Sequence, residues 1–133
     1  MTMTGSSLSP SFKDTAPGGG GRSHIPWTDA DLAELGRSGY SSLRTVCDLL
    51  DVLCRTPGVP VSTTRLLPEL GVTRKELGGR LSYLSRWTFE ERGRGNWPLM
   101  WAEFPSEDPQ FVDECSYVVT QAMAEAWAGT PRT

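Results

Sequence analysis

The stretch VSTTRLLPELGVTRKELGGRLSYLSR, from Val61 to Arg86, decides how this chain is read. Ser62 suits the N-cap of a first helix, because its side-chain oxygen can accept from a backbone N–H that the helix leaves unpaired. Val61 before it and Leu66 after it are placed to close a hydrophobic staple. Gly71 stops that helix, since glycine turns left-handed without a Cβ clash. Thr73 then caps a second helix, with Glu76 completing a capping box and Val72 and Leu77 forming the staple. Leu77, Leu81 and Leu84 recur at helical spacing and mark its buried side. Two capped helices about a glycine turn predict a helix-turn-helix. Pro68 is the blemish. Inside the first helix it removes a backbone bond at a cost of about 3 kcal/mol, so a kink or a tighter turn is expected there.

The 133 residues suffice for one small domain, and 38% hydrophobic content with five tryptophans gives it a core. No apolar run approaches the roughly 18 residues of a membrane span, and the start lacks a secretory signal's charged and apolar blocks. A cytoplasmic protein with no membrane contact is the expectation. Cys47 and Cys54 share a predicted helix about 10 Å apart, too far for a disulfide. With Cys115 they lack zinc-site spacing and read as reduced, packed thiols.

Residues 1–25, rich in Ser, Thr, Gly and Pro, read as a disordered tail. Structure is expected from Pro26, in a domain spanning 26–128, with 129–133 a flexible end. Thr28 and Asp31 cap a short helix, with Trp27 stapled to Leu32. A stronger helix begins at Ser41 or Ser42 and carries Leu43, Val46, Cys47, Leu50, Leu53 and Cys54 on one stripe. Leu49 and Val52 fall off that stripe, and either pack on the first helix or form a homodimer contact. Arg44 with Asp48, and Asp51 with Arg55, are spaced as solvent-side pairs. Val59 to Val61 can make a very short strand. After Trp87, Glu90 to Asn96 reads as a loop. Leu99 to Phe104 and Cys115 to Val119 then read as a hairpin about Pro105 to Asp113, and Thr120 caps a last helix.

Helix, short strand, two-helix unit and hairpin follow the order of a winged helix-turn-helix, a mainly α fold with a small β-hairpin (α+β). From about Pro26 to Trp127 the chain also resembles a poorly characterised family of winged-helix proteins common in actinobacteria. Pro26-Trp27-Thr28, Val61-Ser62-Thr63, Gly71-Val72-Thr73-Arg74, Asn96-Trp97-Pro98, Trp101 and Tyr117 carry that resemblance. It implies the winged-helix fold and, through the fold alone, DNA binding.

Catalysis is not expected. His24 is the only histidine and lies in the tail, and there is no phosphate loop, dinucleotide fingerprint or metal-ligand cluster. No catalytic residue, metal or cofactor is assigned. Charge favours nucleic acid instead. Between Arg55 and Trp97 eight basic residues face four glutamates, in a chain whose net charge is −3. With the leucines inward, Lys75, Gly79, Ser82 and Arg86 point outward, flanked by Gly78 and Tyr83. Arg74, Lys75, Gly78, Gly79, Arg80, Ser82, Arg86, Arg92 and Arg94 are therefore the candidate contacts to double-stranded DNA, for a small transcriptional regulator. Gly78 and Gly79 leave little to read bases, so charge would supply most of the affinity. An acidic wing tip, with Glu107, Asp108, Asp113 and Glu114, opposes phosphate. The alternative is a winged helix that binds a protein partner and no DNA.

Overall fold

The computed structural model describes residues 12–15 and 23–132, with the side chain of Arg92 left aside. Among these residues five helices lie against one four-stranded antiparallel sheet, a mixed α/β arrangement. In chain order the elements are β1 (Lys13–Thr15), α1 (Asp29–Gly36), α2 (Ser41–Leu53), β2 (Val61–Ser62) and α3 (Thr63–Leu70). There follow α4 (Arg74–Arg92), β3 (Asn96–Pro105), β4 (Asp113–Val118) and α5 (Gln121–Ala128). The strands lie in the order β1-β3-β4-β2.

Local chemistry sets most helix ends. Thr28 and Asp31 exchange side-chain and backbone bonds at the start of α1, and Thr73 and Glu76 do the same for α4. Ser62 accepts from the Arg65 N–H and Thr120 from the Met123 N–H, capping α3 and α5. Gly71 and Gly93 end α3 and α4 at φ of +68° and +65°, where a Cβ would strain the backbone. Tyr40 precedes α2 without a side-chain cap. That helix is held by packing instead: Leu43, Val46, Leu49, Leu50 and Leu53 are all fully buried. One core joins them to Leu32 and Leu35 of α1, Leu66 of α3, the α4 leucines, Trp97 and Leu99 of β3, and Trp127 of α5.

Several boundaries differ from the sequence-based expectation. The helix expected to end at Arg86 continues to Arg92, because Thr88 adds a further buried position and the next left-handed glycine is Gly93. Glu90 and Glu91 are thus helical. The sheet exceeds a hairpin, for β2 pairs with β4 and β1 with β3. The region read as a disordered tail includes β1, where Trp101 Nε1 donates to the Thr15 carbonyl at 2.9 Å and Phe12 packs on Phe104. Order also starts before Pro26, since the Asn96 amide accepts from the Ile25 N–H and donates to its carbonyl. The rest of that expected tail, residues 1–11 and 16–22, lies outside the described residues.

The end expected to be flexible is tied down as well. Arg132 grips both Asp51 and Asp48, and Trp127 Nε1 donates to Asp51 at 2.7 Å. Pro131 closes on Gly36 so tightly that a Cβ there would lie 2.6 Å from the Pro131 carbonyl oxygen. Asp48 and Asp51 therefore pair with Arg132 rather than with Arg44 and Arg55, and Arg55 bonds Glu69 at 3.3 Å. Leu49 is wholly buried, which removes it from any dimer surface, and Val52 is half-buried against the core.

Candidate functional site

The capping box at Thr73 and the glycine stop at Gly93 fix α4 as one 19-residue helix whose inner side is set by Leu77, Leu81 and Leu84. Its outer side carries Lys75, Gly78, Gly79, Ser82 and Arg86, all exposed, with Tyr83 half-buried at the border. A Cβ added at Gly78 or Gly79 would meet no atom within 4 Å, so the helix backbone is uncovered there. Arg86 stands 5.5 Å from the Tyr83 ring centre, and Tyr83 in turn packs on Tyr40 at 5.8 Å. Beneath Gly78 a slot of about 160 Å³ opens between α4 and the sheet, lined by Gly78, Leu81, Ser82, Ser85, Trp97 and Tyr117. Trp97 Nε1 donates to the Ser85 hydroxyl at 3.0 Å and closes its floor.

The remaining candidate cations are used differently from the expectation. Arg74 is held inside the fold: it bonds Glu114 at 3.1 Å and the Thr64 hydroxyl at 3.3 Å, and stacks 4.3 Å from the Phe111 ring centre. Asp108 lies 3.9 Å away. Arg94 is 2% exposed and belongs to the core. It donates to the Ile25 and Pro26 carbonyls, pairs with Asp31 at 2.7 Å and stacks on Trp27, which anchors the segment leading into α1. Its Nη1 has no hydrogen-bond partner. Arg80 is half-buried and reaches the Thr45 hydroxyl at 3.4 Å. The Arg92 side chain lies outside what is described. Of the nine residues, Lys75, Gly78, Gly79, Ser82 and Arg86 form one open face, with Arg80 at its edge.

The wing tip, read from sequence as acidic and opposed to phosphate, is partly neutralised by Arg65 and Arg74. Arg65 bonds Glu107 at 3.1 Å, and Glu114 is a buried hub. Its carboxylate accepts from the Thr64 N–H and hydroxyl, from Arg74 and from the Glu107 N–H. Burial alone would raise its pKa. The bonds from the Glu107 N–H, Thr64 and Arg74 outweigh that and hold it below the ordinary glutamate value. The partners come from α3, α4 and the wing, separated by 40 to 50 residues in Arg74 and Thr64, so no local pattern signals them.

Together these contacts redraw the charge. Arg55, Arg65, Arg74 and Arg94 each hold a carboxylate at 3.3 Å or closer. Asp31, Glu107, Asp108 and Glu114, brought in from outside the basic stretch, raise its four carboxylates to eight against eight cations. The local surplus disappears.

Little else in the described residues suggests chemistry. His24 bonds Asp14 at 2.8 Å at the surface. Burial pushes the Cys47 and Cys54 thiols up to about 11, which leaves them protonated and unreactive near neutrality. Among the described residues no group of three or more His, Cys, Asp or Glu could hold a metal ion, and no helix is long and apolar enough to cross a membrane. No family model matches the chain, and no curated protein or solved structure is significantly similar to it.

Proposed function

We propose that the chain is a non-catalytic winged-helix domain whose exposed α4 face contacts protein rather than DNA. The element order α2-β2-α3-α4-β3-β4, with β4 lying between β3 and β2, supports the winged-helix assignment. The loss of the basic surplus carries the functional reading. Phosphate contacts supply most non-specific DNA affinity, and here two of the candidate cations, Arg74 and Arg94, are engaged by carboxylates, as is the nearby Arg65. A reducing compartment such as the cytoplasm fits three free thiols.

DNA binding by a small regulator is the second reading, and one observation favours it. Lys75, Gly78, Gly79, Ser82 and Arg86 leave a face of α4 uncovered, as a helix entering a major groove requires. Unmasking the charge separates the two. In the double variant Glu107→Gln/Asp108→Asn, Arg65 loses its partner and Arg74 one of its two carboxylates. The protein-contact reading expects weak, salt-sensitive duplex binding in that variant, measured by fluorescence anisotropy, and none in the wild type. Equal, substantial binding by both proteins would overturn it.

A further inference from the structure

A groove of about 500 Å³ runs between the α3–α4 turn and the wing. Leu67 and Pro68 of α3, Val72 of the turn, Arg74 and Glu76 of α4, and Asp108 of the wing line it. Pro68, which removes a backbone bond from α3, is exposed here and offers an apolar surface with no side-chain entropy to lose. Phe111 continues the apolar surface onto the wing: its ring stacks on Arg74 and 44% of the residue stays exposed. Val112 follows at 87%, the most exposed large apolar side chain among the described residues. Arg74 both lines the groove and touches Phe111, and the Asp108 carbonyl accepts from the Phe111 N–H at 3.0 Å. Groove and wing tip are therefore one surface.

Charge selects the occupant. Residues 63–77 and 105–114, which form these walls, carry six carboxylates against Arg65, Arg74 and Lys75. Arg55, bonded to Glu69, lowers the acidic excess from three to two. Asp113 is exposed and has no ion-pair partner among the described residues. Such a surface repels a polyanion, and a second copy meeting it about a twofold axis would set carboxylates against carboxylates. We propose that the groove and wing tip receive a short segment of another protein, an apolar side chain flanked by lysine or arginine. The apolar side chain lies against Pro68 and Val72, and its flanking cations meet Glu76, Asp108 and Asp113. This contact goes beyond the one assigned to the open face of α4 and stands without it.

A phage-displayed library of random peptides, panned on the whole chain, supplies the probe. Enriched peptides should carry a large apolar residue flanked by lysine or arginine, and should bind more weakly as salt rises. Isothermal titration of one such peptide then locates the site. Val112→Lys and Pro68→Ser should each weaken binding at least about tenfold, as the loss of an apolar anchor does. Asp113→Lys should weaken it through charge, and Arg86→Glu, on the open face of α4, should leave it unchanged. Pro68, Val112 and Asp113 are exposed, and far-UV circular dichroism with a thermal melt checks that each variant is folded. Failure to enrich any basic peptide overturns the proposal, and so does binding indifferent to both Val112→Lys and Pro68→Ser. Duplex binding that Pro68→Ser abolishes, or a dimer in sedimentation equilibrium that Val112→Lys dissolves, would assign the surface to nucleic acid or to a second copy and overturn it. Peptide binding lost in Arg86→Glu alone would remove the groove and leave the α4 reading standing.

Discussion

At the scale of single residues, the arginines of one basic stretch divide into separate roles. Arg94 and Arg86 look alike in sequence, yet Arg94 is buried between α1 and β3 while Arg86 lies on the surface. Which one is structural depends on Asp31, Ile25 and Pro26, more than sixty positions away. Arg94→Ala should destabilise the fold by about 3 kcal/mol, as breaking one side of a buried pair does. Arg94→Lys should recover only part, because an ammonium cannot reproduce the guanidinium fork. The urea midpoints of the two variants decide this, and an alanine variant as stable as wild type would refute it. Glu114 makes a pH prediction. Its folded pKa is depressed, so its stabilisation is complete above the unfolded glutamate value of about 4.3 and is lost as pH falls through the folded value. Glu114→Gln should lower stability at pH 7 and flatten the fall of stability below about pH 4.3. Thermal melts of both proteins between pH 7 and pH 3 measure it.

Helices were the legible elements. Thr28, Ser62, Thr73, Thr120 and Gly71 act on atoms within a few residues, so their chemistry is written in the local sequence. The order of α2 to β4 followed from those stops and starts. β1 and the Arg132 clasp are not legible, because three residues ahead of a glycine run, or one arginine near the end, gain structure only from distant partners. The open face of α4, with Lys75 and Arg86 on it, is legible from the helical wheel; that Arg74 and Arg94 are tied to distant carboxylates is not. Gly78 and Gly79 invite a direct test at this scale. They sit inside a helix with open space around them, so the pair changed to alanine should stabilise the domain by about 2 kcal/mol. Chemical denaturation at low micromolar concentration would reveal it. A destabilised variant would mean that something covers this backbone.

Across the whole molecule, the fold redistributes charge that the sequence lists side by side. A surplus of basic residues between Arg55 and Trp97 is matched by carboxylates from α1 and the wing, leaving Lys75, Arg80, Arg86 and Arg92 beside Glu76, Glu90 and Glu91 on α4. The protein-contact reading takes electrostatic attraction for a polyanion to be weak, while the uncovered helix face and its slot remain. A salt titration of the wild-type chain against a mixed-sequence duplex tests this claim most directly. The account predicts no saturable binding at about 50 mM salt and 10 µM protein, where a DNA-binding face would be at its strongest. Saturable binding whose logarithm falls against log salt with a slope of about −2.7 or steeper, the mark of three or more phosphates, and which flattens in Lys75→Ala/Arg86→Ala, would contradict it.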